Sequence, residues 1–209
     1  LTPEGEELIG YAQQLLSFEE EMLARFQSKE VSGEVRLGTP EDLATSYLPQ
    51  ILARFAKTYP RVLLQVDCEF SLPLLQKFEE GIYDLVLIKQ DPRKPHSCSE
   101  EVWKESLVWV SSQKSPPPLN PLPLILAPSP CVYRQRALDA LHRAGIRWKI
   151  VYTSPSLAGA LAAVKAGLGV SILPVHQVPA DLFTVRQLPP LQDAQIALLK
   201  REGATEAAK

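Results

Sequence analysis

The sequence predicts a mixed α/β fold made of two βα units in series behind one long N-terminal helix. Three observations support this fold class: short apolar runs alternate with amphipathic helical segments, the alternation restarts after a proline-rich stretch, and residues 1–31 carry a helical periodicity instead. Such alternation favours mainly parallel sheets with right-handed crossovers. With 45% hydrophobic and 22% charged residues among 209, the chain has enough apolar surface to form a folded core.

Residues 1–31 are predicted to form a linker helix that mediates dimerisation. Thr2 before Pro3 is a helix-start signal, because the hydroxyl can cap free amides and proline in the first turn loses no needed donor. Apolar residues then recur mainly at a four-three spacing, and the proposed dimerisation residues are Leu8, Leu15, Met22 and Phe26. A helix of roughly 26 residues extends about 40 Å. We therefore expect a partner helix to cover this stripe, with packing on its own domain as the alternative.

The first βα unit follows Gly33. Strands are predicted at Glu34–Gly38, Val62–Val66 and Leu85–Ile88. Helices are predicted at about Ser46–Lys57 and from Ser71 to a glycine stop at Gly81. The order is βαβαβ, which predicts parallel neighbouring strands.

The second unit follows a proline-rich connector. A crossing strand, Leu107–Ser111, leads into prolines between residues 115 and 123 that cannot continue a regular helix or a central strand. The chain is expected to change subdomain here; a polyproline ligand for a partner domain is the less favoured alternative. The later elements are predicted strands at Leu124–Leu126, Lys149–Tyr152, Val170–Leu173 and Ile196–Lys200, with helices at about Tyr133–Arg143 and Ser154–Gly167.

Composition argues against several classes of function. A net charge of -2 predicts that this region does not grip DNA by itself. No stretch approaches the roughly 20 apolar residues of a membrane span, and the first residues do not resemble a signal peptide. Three widely spaced cysteines fit neither a disulfide framework nor a zinc site. We therefore expect a cytoplasmic protein without a membrane partner.

Catalytic chemistry has little support in the sequence. His96, His142 and His176 lie far apart, and no metal-spaced histidine pair, nucleophile elbow or phosphate loop is present. We expect no catalytic residues, no metal ligands and no cofactor. A triad that assembles only in three dimensions is the alternative.

Short motifs in a fixed order run along almost the whole chain. They include Leu1-Thr2-Pro3-Glu4-Gly5, Ser32-Gly33-Glu34-Val35-Arg36-Leu37-Gly38, Glu80-Gly81-Ile82-Tyr83-Asp84-Leu85 and Val164-Lys165-Ala166-Gly167-Leu168-Gly169-Val170. Each motif alone is weak, but the ordered set is specific, and it resembles the LysR-type transcription regulators. Leu107-Val108-Trp109-Val110 and Tyr152-Thr153-Ser154-Pro155 resemble the LrhA/HexA-type branch of that family.

The resemblance implies two Rossmann-like subdomains arranged as in type II periplasmic binding proteins. Residues 32–110 with 185–209 would form regulatory subdomain I and residues 111–184 subdomain II, with a hinge near Ser111 and Thr184. It implies an effector-sensing and oligomerisation region that binds a small metabolite between the subdomains. DNA contact falls to a winged helix-turn-helix that is missing from this sequence and normally precedes the linker helix. Homodimers or homotetramers are expected, with a second contact on the helix at Ser46–Lys57.

The candidate ligand residues follow from a rule of sheet topology. Open α/β sheets bind ligands beyond the carboxyl ends of their strands. The loops at these ends carry eleven candidates: Thr39, Glu41, Asp42, Phe70, Ser71, Ser129, Cys131, Tyr133, Arg134, Thr153 and Ser154. Their hydroxyls and free helix amides suit a small organic anion, with aromatic rings over its apolar body. Acidic residues in the first loop would suit an amine instead, so the charge of the ligand stays open.

Each candidate also has a structural interpretation. In that interpretation Ser71 and Ser154 simply cap their own helices and do not bind a ligand. Arg134 could be solvated or paired with an acidic residue. Cys131 could sense oxidants, but a small buried apolar role is favoured. A solute-binding protein of a transporter is the main rival function, and an enzyme on the same fold is the second. The long first helix and the lack of an export signal argue against the former.

Overall fold

The first half of the molecule is a βα unit that begins at Gly33. A computed structural model describes residues 2, 8, 12, 16, 31–114, 120–203 and 207. The first elements are β1 (Gly33–Thr39), α1 (Glu41–Ser46), α2 (Leu48–Thr58), β2 (Val62–Cys68), α3 (Ser71–Glu79), β3 (Leu85–Gln90) and β4 (Glu100–Glu105). Gly81 follows α3 with φ +78°, so a glycine ends this helix as predicted.

The second half repeats the pattern after β4. Its elements are β5 (Leu107–Ser111), β6 (Leu122–Leu126), α4 (Val132–Arg143), β7 (Trp148–Thr153), α5 (Leu157–Lys165), β8 (Ser171–Pro174), a 3₁₀ turn (Val175–Gln177) and β9 (Phe183–Thr184). The final strand, β10 (Ala194–Lys200), returns to the first half.

Both halves use the same strand order. The first sheet runs β2-β1-β3-β10-β4, with β1 parallel to its two neighbours and β10 antiparallel to β3 and β4. In the second half, β6 pairs in parallel with β7, and β5 pairs antiparallel with β8 and β9. A parallel bridge between Leu124 and Val170 joins these two groups. The resulting order, β7-β6-β8-β5-β9, therefore repeats the order of the first sheet.

The central strands are apolar on both faces because helices cover both. In β3, Val86 and Ile88 pack with Leu74 of α3, whereas Leu87 lies on the opposite face with Leu43 of α1. Successive side chains of a strand point to opposite faces, so a continuous apolar run marks a strand that is buried on both sides. The uninterrupted apolar runs of the sequence predicted these strands correctly.

The chain crosses between the halves twice. The first crossing is at Ser106, between β4 of the first sheet and β5 of the second, and the return lies between Thr184 and Ala194. The hinge was predicted near Ser111, the last residue of β5, and β5 pairs with β8 in the second sheet. We propose a division into two subdomains at these crossings, with β5 assigned to the second.

The predicted mixed α/β class with two sheets is confirmed. The elements that the sequence did not predict are short or rich in charged residues; they are α1, β4 and β9. The predicted helix at Ser46–Lys57 corresponds to α2, which begins at Leu48 because Tyr47 separates it from α1. Leu8 is helical and 68% exposed. Leu15, Met22 and Phe26 lie outside the described residues, as does the connector at 115–119. Within the described ranges, no helix is long and apolar enough to cross a membrane.

Candidate functional site: a cleft between the two sheets

A cavity of about 1130 Å³ lies between the two halves. Four loops contribute to its wall, and each follows the carboxyl end of a strand: β1 to α1, β2 to α3, β6 to α4, and β7 to α5. Parallel strands place these ends at one edge of their sheet, so the topology itself brings the loops together. We call this cavity the cleft.

The cleft wall includes nine of the eleven predicted residues. These are Glu41, Asp42, Phe70, Ser71, Ser129, Cys131, Tyr133, Arg134 and Ser154. Thr39 and Thr153 are not part of the wall. Each is the last residue of its strand, so strand pairing and not the loop sets its side chain; Thr39 is fully buried, and Thr153 is exposed on the edge strand β7.

A buried ion pair forms one side of the cleft. Asp42 pairs with Lys89, and both side chains are only 11% exposed. The Lys89 ammonium also lies 3.9 Å from the ring centroid of Tyr133, in the geometry of a cation–π contact between the two halves. Lys89 was not among the predicted residues, although its position near the end of an apolar strand run satisfies the same rule that selected the others.

Behind Tyr133 lies a carboxylate that the sequence analysis also missed. Tyr133 donates a hydrogen bond to Glu105, which receives a second one from Trp103 at 3.3 Å and lies 3.9 Å from His176. Burial raises the pKa of Glu105, and the bond from Tyr133 and the charge of Lys89 offset it only in part. Burial and nearby carboxylates raise the pKa of Tyr133 well above its ordinary value, so this phenol stays protonated.

Glu41 links the two halves across the cleft. Its carboxylate accepts a hydrogen bond from the backbone N–H of Leu157 at 3.0 Å and one from the Ser156 hydroxyl at 3.4 Å. Ser156 is also the N-cap of α5 and accepts from the Gly159 N–H. Ser154 is therefore not the cap of this helix; its hydroxyl accepts from the Ser156 N–H at 3.2 Å.

Ser71 does not cap a helix either. The N-cap of α3 is Phe70, without a side-chain bond, and the Ser71 hydroxyl accepts from the N–H of Lys89 at 2.9 Å. Arg134 donates to the carbonyl of Ala127 at 2.9 Å. Cys131 packs beside the core of the second half, which favours the apolar role over redox sensing. Ser71 thus holds α3 against β3 at the cleft wall.

The chemistry of the cleft is that of a binding site for an organic molecule. Its wall is apolar over large parts, with polar groups at a few positions, as is typical of small-molecule sites. The apolar members include Leu72, Leu75, Leu126, Val132, Leu138 and Ile172. Among the described residues, no group of three or more histidine, cysteine or acidic side chains is arranged to hold a metal ion.

Comparisons with known proteins agree with this architecture. The family described as the LysR substrate binding domain matches residues 28–209. The regulator DgdR of Burkholderia cepacia is 33% identical over 95% of this chain, and PecT of Dickeya dadantii is 30% identical over 96%. The chain spans 68% and 64% of these two HTH-type transcriptional regulators.

A solved structure shows the same fold. The effector binding domain of QuiR in complex with shikimate superposes with a TM-score of 0.70 at 15% identity, covering 85% of this chain and 92% of that chain. The repeated strand order, the cleft between the sheets and the match over residues 28–209 agree with one another. The chain therefore belongs to the LysR substrate binding domain family.

Proposed function

We propose that this chain is the effector-sensing region of a LysR-type transcription regulator and that its cleft binds a small organic acid. The observation that carries the proposal is the cavity of about 1130 Å³, whose wall combines polar groups of both halves with an extensive apolar surface. A ligand that contacts both halves stabilises one relative orientation of them. A ligand that binds one arrangement of the two halves more tightly than another shifts the population of molecules toward that arrangement.

The charges around the cleft support an acid as the ligand. Three carboxylates line the wall, and each already has a partner: Glu41 at α5, Asp42 at Lys89, and Glu69 at Lys77. Arg134 differs, because its hydrogen bond goes to a neutral carbonyl and it has no carboxylate partner in the described part of the chain. A guanidinium offers a planar set of donors that matches a carboxylate. A carboxylate ligand would complete this pairing.

A thermal-shift screen tests the proposal with small carboxylic acids and their matched carboxamides. At about 100 times its dissociation constant, a ligand adds about 2.7 kcal/mol of stability. This corresponds to a rise in Tm of roughly 5 to 10 °C for a chain of this size. Acids should raise Tm, and the amides should not. If no acid raises Tm, or if the amides act equally, the proposal is wrong.

A pair of arginine variants locates the contact. Arg134→Gln should weaken the binding of an active acid about tenfold, because a charged hydrogen-bond partner is lost. Arg143→Gln is the matched control, since Arg143 is exposed at the far end of the same helix and donates to the Asp139 carbonyl. Isothermal titration gives both dissociation constants. Equal weakening by the two variants would place the acid elsewhere.

The regulatory part of the proposal concerns the full-length protein. DNA contact is assigned to a winged helix-turn-helix, because the relatives at 33% and 30% identity are HTH-type regulators and the chain spans only part of their length. The net charge of -2 supports a sensing role for this region and not a role in gripping DNA. DNA binding in turn supports a cytoplasmic location.

The proposal includes self-association into a homodimer or homotetramer. Exposed apolar side chains support it: Leu8 in the linker helix is 68% exposed, Ile51 on α2 is 59% exposed and Leu63 on the edge strand β2 is 65% exposed. Ile51→Asp should therefore lower the assembly order in sedimentation experiments. Val102→Asp is the control, because Val102 is also exposed but lies on β4 at the opposite edge of the first sheet. An unchanged assembly order in Ile51→Asp would remove α2 from the interface.

A further inference from the structure

Glu41 differs from the other two carboxylates of the cleft in where its partner lies. Asp42 and Glu69 are paired with lysines of their own half, Lys89 and Lys77. Glu41 is the first residue of α1 in the first half, yet its carboxylate is bound at the start of α5 in the second half. The bond therefore exists only when the two halves are close together.

The physical chemistry of a helix start explains why this contact holds. The first N–H groups of α5 have no acceptor within the helix, and the helix dipole places partial positive charge there. The Leu157 N–H and the Ser156 hydroxyl both bind the same carboxylate, at 3.0 and 3.4 Å. Hydrogen bonds to an ionised acceptor are stronger than those between neutral groups. All three residues are half-buried, so solvent weakens the contact without removing it.

We propose that Glu41 is a latch that holds the cleft closed before a ligand enters. Its bond to α5 favours the closed arrangement of the two halves, and an effector that contacts both halves then binds a protein that is already in the competent state. The part of this inference that concerns ligand affinity rests on the proposed function, but the closure itself needs no ligand. Glu41 is thus a positioning residue that sets how much of the population is closed.

The latch makes a specific prediction for one backbone amide. In the ligand-free protein, Glu41→Ala should speed hydrogen exchange at the Leu157 N–H by about five- to tenfold, which is the effect of losing one charged partner at a helix start. Glu41→Asp should act in the same direction, because it keeps the charge but shortens the reach. Glu69→Ala is the matched control: it removes a cleft carboxylate whose partner is in its own half, and it should leave this amide unchanged.

A second measurement follows affinity for any acid identified in the thermal-shift screen. The apparent dissociation constant rises as the competent fraction falls, so Glu41→Ala should weaken binding by a similar factor and Glu41→Asp likewise. Small-angle scattering should show a larger radius of gyration for both variants in the absence of ligand. Unchanged exchange at Leu157 and an unchanged radius would overturn the latch. Tighter binding by Glu41→Ala would also overturn it, since Glu41 would then be a competitor of the acid.

The two proposals fail separately. If no acid raises Tm but Glu41→Ala still frees the Leu157 amide and opens the molecule, the proposed ligand class is wrong and the latch stands. If acids bind equally well to the wild type and to both Glu41 variants, the sensing function stands and the latch is wrong. Should Glu41→Ala fail to fold, Glu41→Asp with the same readouts decides the question.

Discussion

The two halves of the molecule are joined by two kinds of contact, beside the crossings and across the cleft. Beside the crossings, the Arg136 side chain is only 3% exposed and binds Asp91 at 2.9 Å and Gln192 at 3.0 Å. Across the cleft, Glu41 is half-buried and binds one N–H and one hydroxyl. Each side chain binds two residues, so the difference is burial: a buried ion pair is costly to separate, whereas a half-buried contact opens at a smaller cost. We therefore propose that the contacts beside the crossings hold the hinge and that the contact across the cleft is the one that opens.

The largest expected effect is at the hinge. Asp91→Asn leaves the buried Arg136 without its counter-charge, and the loss of one partner from a buried pair should lower the free energy of unfolding by about 3 kcal/mol at neutral pH. Urea unfolding of the wild type and the variant measures this loss of stability. Arg93→Ala is the control, because Arg93 binds the same carboxylate but its side chain is 63% exposed, so its loss should cost far less stability.

The same pair predicts a dependence on pH. Hydrogen bonds from Arg93 and then from Arg136 hold the pKa of Asp91 well below its ordinary value of 3.8. A lowered carboxyl pKa contributes stability above the unfolded value and loses it as the pH falls through the folded value, so the gap in stability between wild type and Asp91→Asn should narrow progressively as the pH falls below about 3.8. A gap that stays constant down to acid pH would contradict the assigned role, as would equal losses in Asp91→Asn and Arg93→Ala. Glu41→Ala should lower the free energy of unfolding by only about 1 kcal/mol, the equivalent of the five- to tenfold effect expected at the Leu157 amide.

The sequence predicted those features of the two halves that depend on local pattern, namely the buried strands and the loops at their carboxyl ends. Apolar runs identified the strands buried on both faces, and the rule for their carboxyl ends identified nine of the eleven cleft residues that we proposed. Thr39 and Thr153 lie outside the cleft wall because each is the last residue of its strand, where the alternation of the strand decides the direction of the side chain. A boundary error of one residue is therefore enough to move a side chain out of the cleft.

The contacts between the halves could not be predicted, because their partners are far apart in sequence. Glu105 and Tyr133 are separated by 28 residues, and Glu41 and Leu157 by 116. The strand β4 that carries Glu105 contains four charged residues in six and shows no apolar run, since it lies at the edge of its sheet. Only the crossing at Ser106 brings this carboxylate under Tyr133. Its role depends on topology and not on a motif.

Glu105 offers a smaller test of the hinge, because its pKa is raised, whereas that of Asp91 is lowered. Burial raises its pKa, so its ionised form is less favourable in the folded chain than in the unfolded one. A raised carboxyl pKa means that stability is lost as the pH rises from the unfolded value, near 4.5, through the folded value. Glu105→Gln removes this titration and keeps the shape of the side chain.

The expected result is a gap that changes with pH. Relative to wild type, Glu105→Gln should gain free energy of unfolding as the pH rises above about 4.5, because only the wild type carries a buried carboxyl group that must ionise. Urea unfolding at a series of pH values gives the difference. Glu100→Gln, at an exposed position on the same strand, is the control for a general change of charge on β4. If both variants give flat curves, the hinge does not hold a carboxylate that resists ionisation, and Tyr133 and His176 must stabilise its charge more strongly than burial opposes it.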